Sequence, residues 1–159
     1  MPRIIPNLWF DTQGKEAAEF YCSVFPRSRI TRVTHYGEAG PRAAGTVLTV
    51  DFELDGERFT AINGGPEFTF DEAVSLLIEC EDQAEVDYFW AALTADGGQE
   101  GPCGWLKDKY GLSWQVVPRG MDELLDDPDP ARRDRGMRAM LAMGKLDLAA
   151  LLAAADGRD

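Results

Sequence analysis

The chain has few of the residues that cross-link a fold or ligate a metal: among 159 residues there are three cysteines, Cys22, Cys80 and Cys103, and a single histidine, His35. An odd cysteine count without Cys-x-x-Cys spacing excludes a disulfide framework and a Cys/His zinc site, and leaves reduced thiols as the expectation. No apolar run approaches the roughly 18 residues of a membrane span, and the N-terminal stretch meets a polar residue at Asn7, so neither a span nor a secretory leader is expected. A soluble cytoplasmic protein follows as the default. Positive charge is also scarce where it would matter for polyanions. The net charge is -12, and residues 51–100 hold one Lys/Arg against fourteen Asp/Glu. Such a field repels phosphate backbones and anionic lipid surfaces, so neither nucleic acid nor a membrane is an expected partner.

What is present is enough to bury a core, since hydrophobic residues make up 45% of the chain. Residues 4–10 form a β-branched and aromatic run ending at Asp11-Thr12-Gln13-Gly14, a strand signal. Ala17, Phe20, Tyr21 and Val24 then recur at i, i+3, i+4, i+7, an amphipathic helix that Pro26 stops. Residues 30–36 alternate imperfectly, and after a Gly/Pro-rich loop Leu48, Val50, Phe52 and Leu54 lie on one face of a strand over 46–54. Asp55-Gly56 signals a hairpin to a returning strand over 58–63.

The same order recurs in the second half. Residues 74–80 read as a strand, and Asp82 with Glu85 resembles a capping box opening a helix striped by Val86, Phe89, Trp90 and Leu93. Strands around 99–103 and 105–109, a turn at Tyr110-Gly111 and a strand over 112–117 bounded by Pro118 complete a tandem βαβββ. Beyond Gly120 the composition turns helical, with Met137, Met140 and Leu141, then Leu148, Leu151 and Leu152, at the spacing of docked helices.

Leu8-Trp9-Phe10-Asp11, Asn63-Gly64-Gly65-Pro66, Asp82-Gln83 and the run Cys103-Gly104-Trp105-Leu106-Lys107-Asp108-Lys109-Tyr110-Gly111-Leu112-Ser113-Trp114-Gln115 together resemble one family. It is the PhnB-like, 3-demethylubiquinone-9 3-methyltransferase-like branch of the vicinal oxygen chelate superfamily, which includes glyoxalase I, bleomycin-resistance proteins and extradiol dioxygenases. The resemblance implies an α+β fold in which two βαβββ modules, about 1–66 and 67–120, form an open cup-shaped mixed sheet with the ligand in its concave face. Residues 121–159 would be a helical tail, and a homodimer is implied.

Metal-using relatives place a His or Glu on the first and last strand of each module. Carried onto this sequence, those positions fall at Ile5 or Asn7, at Thr60 or Asn63, at Ser75, and at Gln115. None is a His, Asp or Glu, and neutral amides and hydroxyls hold Zn²⁺, Fe²⁺ or Ni²⁺ poorly, so no metal and no cofactor is expected. The remaining candidates for ligand contact are Asn7, Trp9, Asn63, Ser75, Trp105, Trp114 and Gln115, whose rings and neutral polar groups suit an aromatic, quinoid or cationic small molecule. The cup is expected to be nearly neutral.

Two functions from different classes follow. One is a metal-independent small-molecule binder. The other is an isomerase, lyase or methyltransferase-like transferase acting on a small polar or quinoid metabolite, with Glu79 as general base or Cys103 as nucleophile. Methyl transfer from S-adenosylmethionine in the common α/β class wants a Gly-rich turn directly after a parallel strand. The glycine cluster here instead lies between the modules.

Overall fold

Period-two alternation builds the first unit of the computed structural model, which describes residues 1–158. Strands β1 (Asn7–Phe10), β2 (Arg29–His35), β3 (Val47–Leu54) and β4 (Glu57–Asn63) form a sheet in the order β1-β4-β3-β2, with β1 parallel to β4 and the other pairs antiparallel. Helix α1 (Gly14–Val24) covers one face, burying Ala17, Ala18, Tyr21 and Val24 with Leu8, Val50, Phe52 and Ala61. The Asp55-Gly56 hairpin takes positive φ at both residues, 49° and 88°, the geometry that joins right-twisted strands in a two-residue turn.

The first strand begins at Asn7 rather than at residue 4, and Ile4 is 99% exposed. Pro6 explains the difference. Its carbonyl accepts from the Thr60 amide, but with no N–H of its own it cannot extend the ladder toward Ile5.

The second unit repeats this plan with β5 (Ser75–Cys80), α2 (Gln83–Thr94), β6 (Gln99–Glu100), β7 (Trp105–Lys107) and β8 (Ser113–Pro118), in the order β5-β8-β7-β6. The expected capping box forms in part: the Asp82 carboxylate accepts from the Glu85 amide at 3.0 Å, while the Glu85 carboxylate reaches back to the amide of Glu81, one residue before the cap, at 2.8 Å. All four stripe residues of α2, Val86, Phe89, Trp90 and Leu93, are buried.

Helices α3 (Met121–Leu125), α4 (Pro130–Leu141) and α5 (Leu148–Ala155) pack within this second unit. Met121, Leu124, Leu146, Leu151 and Ala155 form their core. The packed stripe of α4 differs in part from the expected one: Met140 packs on this core and Gly136 is buried, whereas Met137 and Leu141 are 37% and 61% exposed. Leu124 packs so closely on Gly136 that any side chain there would meet it at 2.9 Å, so the face that docks is the one without bulk. On α5 Leu151 is buried and Leu152 is 37% exposed.

Candidate ligand site

Residues paired in register across a sheet share a face. In the first unit the face away from α1 therefore carries the rows Arg32, Asp51, Thr60, Asn7 and Thr34, Thr49, Ile62, Trp9. Asn7 and Thr60, each one of the two alternatives for a ligand position that the resemblance implies, are direct neighbours. The Thr60 hydroxyl donates to the Asp51 carboxylate at 2.7 Å. Trp9 is held rigidly: its indole N–H donates to the Gly65 carbonyl at 2.9 Å, and Phe68 meets it edge-on with centroids 5.0 Å apart. Gly64 lies flat under the ring, where a Cβ would fall 2.2 Å from the indole carbons. The glycines between the modules thus serve Trp9.

Asn63 lies on the opposite face from Asn7 and Trp9, contrary to its place among the ligand candidates. It is 5% exposed, its carbonyl oxygen accepts from the Gly14 amide at 2.8 Å, and its N–H groups donate to the Thr12 and Val47 carbonyls. The amide is consumed in anchoring the start of α1.

In the second unit the face away from α2 carries the rows Lys107, Ser113, Ser75 and Trp105, Gln115, Leu77, followed by Val117 with Glu79, where α3 adjoins it. The two family positions here touch: the Gln115 side-chain amide donates to the Ser75 hydroxyl at 2.9 Å. Trp105 is in the same row as Gln115. Trp114, adjacent to Gln115 on β8, points the other way. It is 2% exposed, and its indole donates to Asp108 at 2.9 Å, so the expectation that it lines the open face is corrected. The same Asp108 carboxylate accepts from the Tyr110 and Leu112 amides, which ties the β7–β8 turn to the Trp114 ring.

Glu79 is exposed and shares the face of Ser75 and Gln115. With Leu77, Val117, Met121, Asp122 and Glu123 it lines a recess of about 270 Å³. Cys103 lies off the rows, in the turn between β6 and β7. Its φ is 57°, and its amide donates to the Met143 carbonyl at 2.8 Å.

Four residues of these faces were missed from sequence. Arg32, Asp51 and Lys107 bring charge to surfaces expected to be nearly neutral, and the Ser113 hydroxyl is buried with no hydrogen-bond partner among the described residues. The signal for Asp51 was available, because Val50 and Phe52 face α1 and the residue between them must face away. Whichever register is taken, the positions that the resemblance implies, Ile5 or Asn7, Thr60 or Asn63, Ser75 and Gln115, bring only apolar, amide and hydroxyl side chains, a set that does not fit a transition metal. Among the described residues no three His, Cys, Asp or Glu side chains are grouped to hold a metal ion.

The sequence matches the family described as 3-demethylubiquinone-9 3-methyltransferase over residues 2–117. A putative 3-demethylubiquinone-9 3-methyltransferase, PhnB protein, from Bacillus cereus is 35% identical with a TM-score of 0.65, the match covering 74% of this chain and 99% of that one. Protein PA1353 from Pseudomonas aeruginosa matches at 18% identity and TM-score 0.61, covering 74% of this chain and 98% of its own. The fosfomycin resistance protein FosX from Listeria monocytogenes matches at 10% identity and TM-score 0.52, covering 77% and 97%. The last two share the fold alone. No curated protein matches the chain.

Proposed function

The chain belongs to the 3-demethylubiquinone-9 3-methyltransferase family, PhnB-like and of the glyoxalase/bleomycin resistance fold, and on that premise we propose that it is a metal-independent binder of a small organic molecule. Each unit offers a ligand surface of its own: in the first, the face away from α1, with Trp9 as a flat wall and Asn7 as a neutral hydrogen-bonding group, and in the second, the face away from α2, with Trp105 as a wall and Ser75 and Gln115 as neutral hydrogen-bonding groups. The observation that carries the reading is the Gln115–Ser75 hydrogen bond. At positions where metal-using relatives place ligands, this chain has an amide and a hydroxyl that satisfy each other and leave the hydroxyl proton and the amide oxygen to offer a ligand.

Methyl transfer finds less support. Of the two Gly-Gly pairs, Gly64-Gly65 is filled by the Trp9 ring and Gly97-Gly98 follows helix α2 and not a strand, so neither offers the backbone cradle that a nucleotide cofactor needs. A cytoplasmic setting is supported by three free thiols, Cys22, Cys80 and Cys103. A homodimer rests on the family resemblance, and light scattering on the purified protein decides it.

The test of binding is tryptophan-fluorescence titration against a panel of small polar and quinoid metabolites, with the bound compound recovered and identified. Binding that survives chelator treatment, returns the compound unchanged, and weakens about tenfold in Gln115→Ala supports the reading, since that loss matches one or two neutral hydrogen bonds. A stoichiometric divalent ion in elemental analysis, or conversion of the compound, overturns it.

A further inference from the structure

The recess beside Glu79 has a composition unlike the neutral rows next to it. Its floor is apolar, made by Leu77 on β5, Val117 on β8 and Met121 at the start of α3, and Leu77 is left 51% exposed. Its rim carries three carboxylates, Glu79, Asp122 and Glu123, and among the described residues none of them has a basic partner. The one cation on the rim is Arg119, whose guanidinium donates to Glu81 at 2.7 Å and is thereby offset by a fourth carboxylate. The N-terminal end of α3 adds only about half a positive charge, which three carboxylates outweigh.

The wall contributed by α3 begins after the family match ends at residue 117. This side of the recess is therefore built by the tail of this chain and lies outside the part it shares with the family.

We propose that the recess binds the ammonium end of a small alkylamine, with the alkyl stem on Leu77, Val117 and Met121. The proposal adds a charged group to the ligand described above, and rests on that reading only in taking the face of the second sheet away from α2 as ligand-bearing. A metal ion is the poorer occupant. It needs convergent oxygens at short range, and no such grouping of three exists among the described residues. An ammonium on an apolar stem is satisfied by carboxylates spread around a rim, because its charge acts over several ångströms while its stem removes apolar surface from water. The volume of about 270 Å³ is at the small end for ligand pockets, which suits a short chain.

The test titrates n-butylammonium chloride into the full chain while backbone amide resonances are recorded, with n-butanol as the neutral probe and butyrate as the anionic one. Saturable shifts centred on residues 77–79 and 117–123 are expected for n-butylammonium, about tenfold weaker binding for n-butanol, and none for butyrate. Raising salt from about 0.02 M to about 0.2 M narrows the difference between the amine and the alcohol. The double variant Glu79→Gln, Glu123→Gln removes it; both side chains are exposed, and an unchanged melting temperature shows the fold retained.

Gln115→Ala leaves butylammonium binding intact while weakening the ligand of the neutral rows, so failure of one proposal is distinguishable from failure of the other. Equal binding of butanol and butylammonium, shifts spread over the rest of the acidic surface, or no saturation overturns the recess as an amine site.

Discussion

The Asn63 side chain ties the end of β4 to the start of α1 through the buried Gly14 amide and the Thr12 carbonyl, and to the start of β3 through the Val47 carbonyl. Replacing it with Ala strands that N–H and two carbonyls, so Asn63→Ala is expected to lose about 2–3 kcal/mol in urea unfolding. Asn63→Asp keeps the acceptor for Gly14 but sets an anion against the Thr12 and Val47 carbonyls, and it should rescue little. The misassignment of Asn63 and Trp114 to the open faces has one physical cause. Neighbours on a strand point to opposite faces, so Trp114 and Gln115 cannot both line the same surface, and residue type overrode that parity. Asn7 with Trp9, and Ser75 with Glu79, were legible because their spacing is even.

Cys80 yields a second prediction at this scale. Burial, aided by Glu85 and Asp82, pushes its thiol up to about 12. The native thiol should resist iodoacetamide at about pH 8–9 and react once urea exposes it. Because the folded state holds this proton more tightly than the unfolded chain, the associated stability is intact below the usual thiol value and is lost as pH rises toward about 12, by up to about 1.4 kcal/mol per pH unit. Denaturation midpoints across that range should fall less steeply for Cys80→Ala; equal slopes would remove Cys80 as the cause.

Elements were more legible than their contacts. The stripe on α2 was read correctly because large apolar residues mark it, whereas the docking face of α4 centres on Gly136, which carries no hydropathy signal. The glycine is where Leu124 enters the helix surface. Gly→Ala in a helix usually gains about 1 kcal/mol from propensity, while overpacking a core costs about 1–3 kcal/mol. The second effect should win here, since the new methyl would meet the branch point of a core leucine at 2.9 Å and not a flexible side-chain tip. Gly136→Ala is therefore expected to lower the urea midpoint; a rise would show that Leu124 moves aside freely. The tail also holds the β6–β7 turn, where the Cys103 and Gly104 amides donate to Met143 and Gly144 carbonyls, a placement that no periodicity in the sequence foretold.

Across the whole molecule the charge of -12 sets how the fold responds to salt. The ion pairs are mainly at the surface: Lys15–Glu19, Arg27–Asp55 and Arg119–Glu81 have both partners at least half exposed. Lys107 and Lys145 hold the carboxyls of Glu72 and Asp87 below the usual carboxylate range through hydrogen bonds, again at exposed positions. Exposed pairs typically add at most about 1 kcal/mol each, and salt removes part of that. Against them stands the mutual repulsion of an excess of twelve negative charges, much of it in residues 51–100, which the compact state concentrates and the unfolded chain relaxes. Screening over a Debye length of about 8 Å near 0.15 M weakens the repulsion between separated carboxylates more than it weakens pairs in direct contact. The melting temperature at pH 7 should therefore rise as sodium chloride goes from about 0.02 M to about 0.2 M. A fall over the same range would mean that the surface pairs outweigh the repulsion.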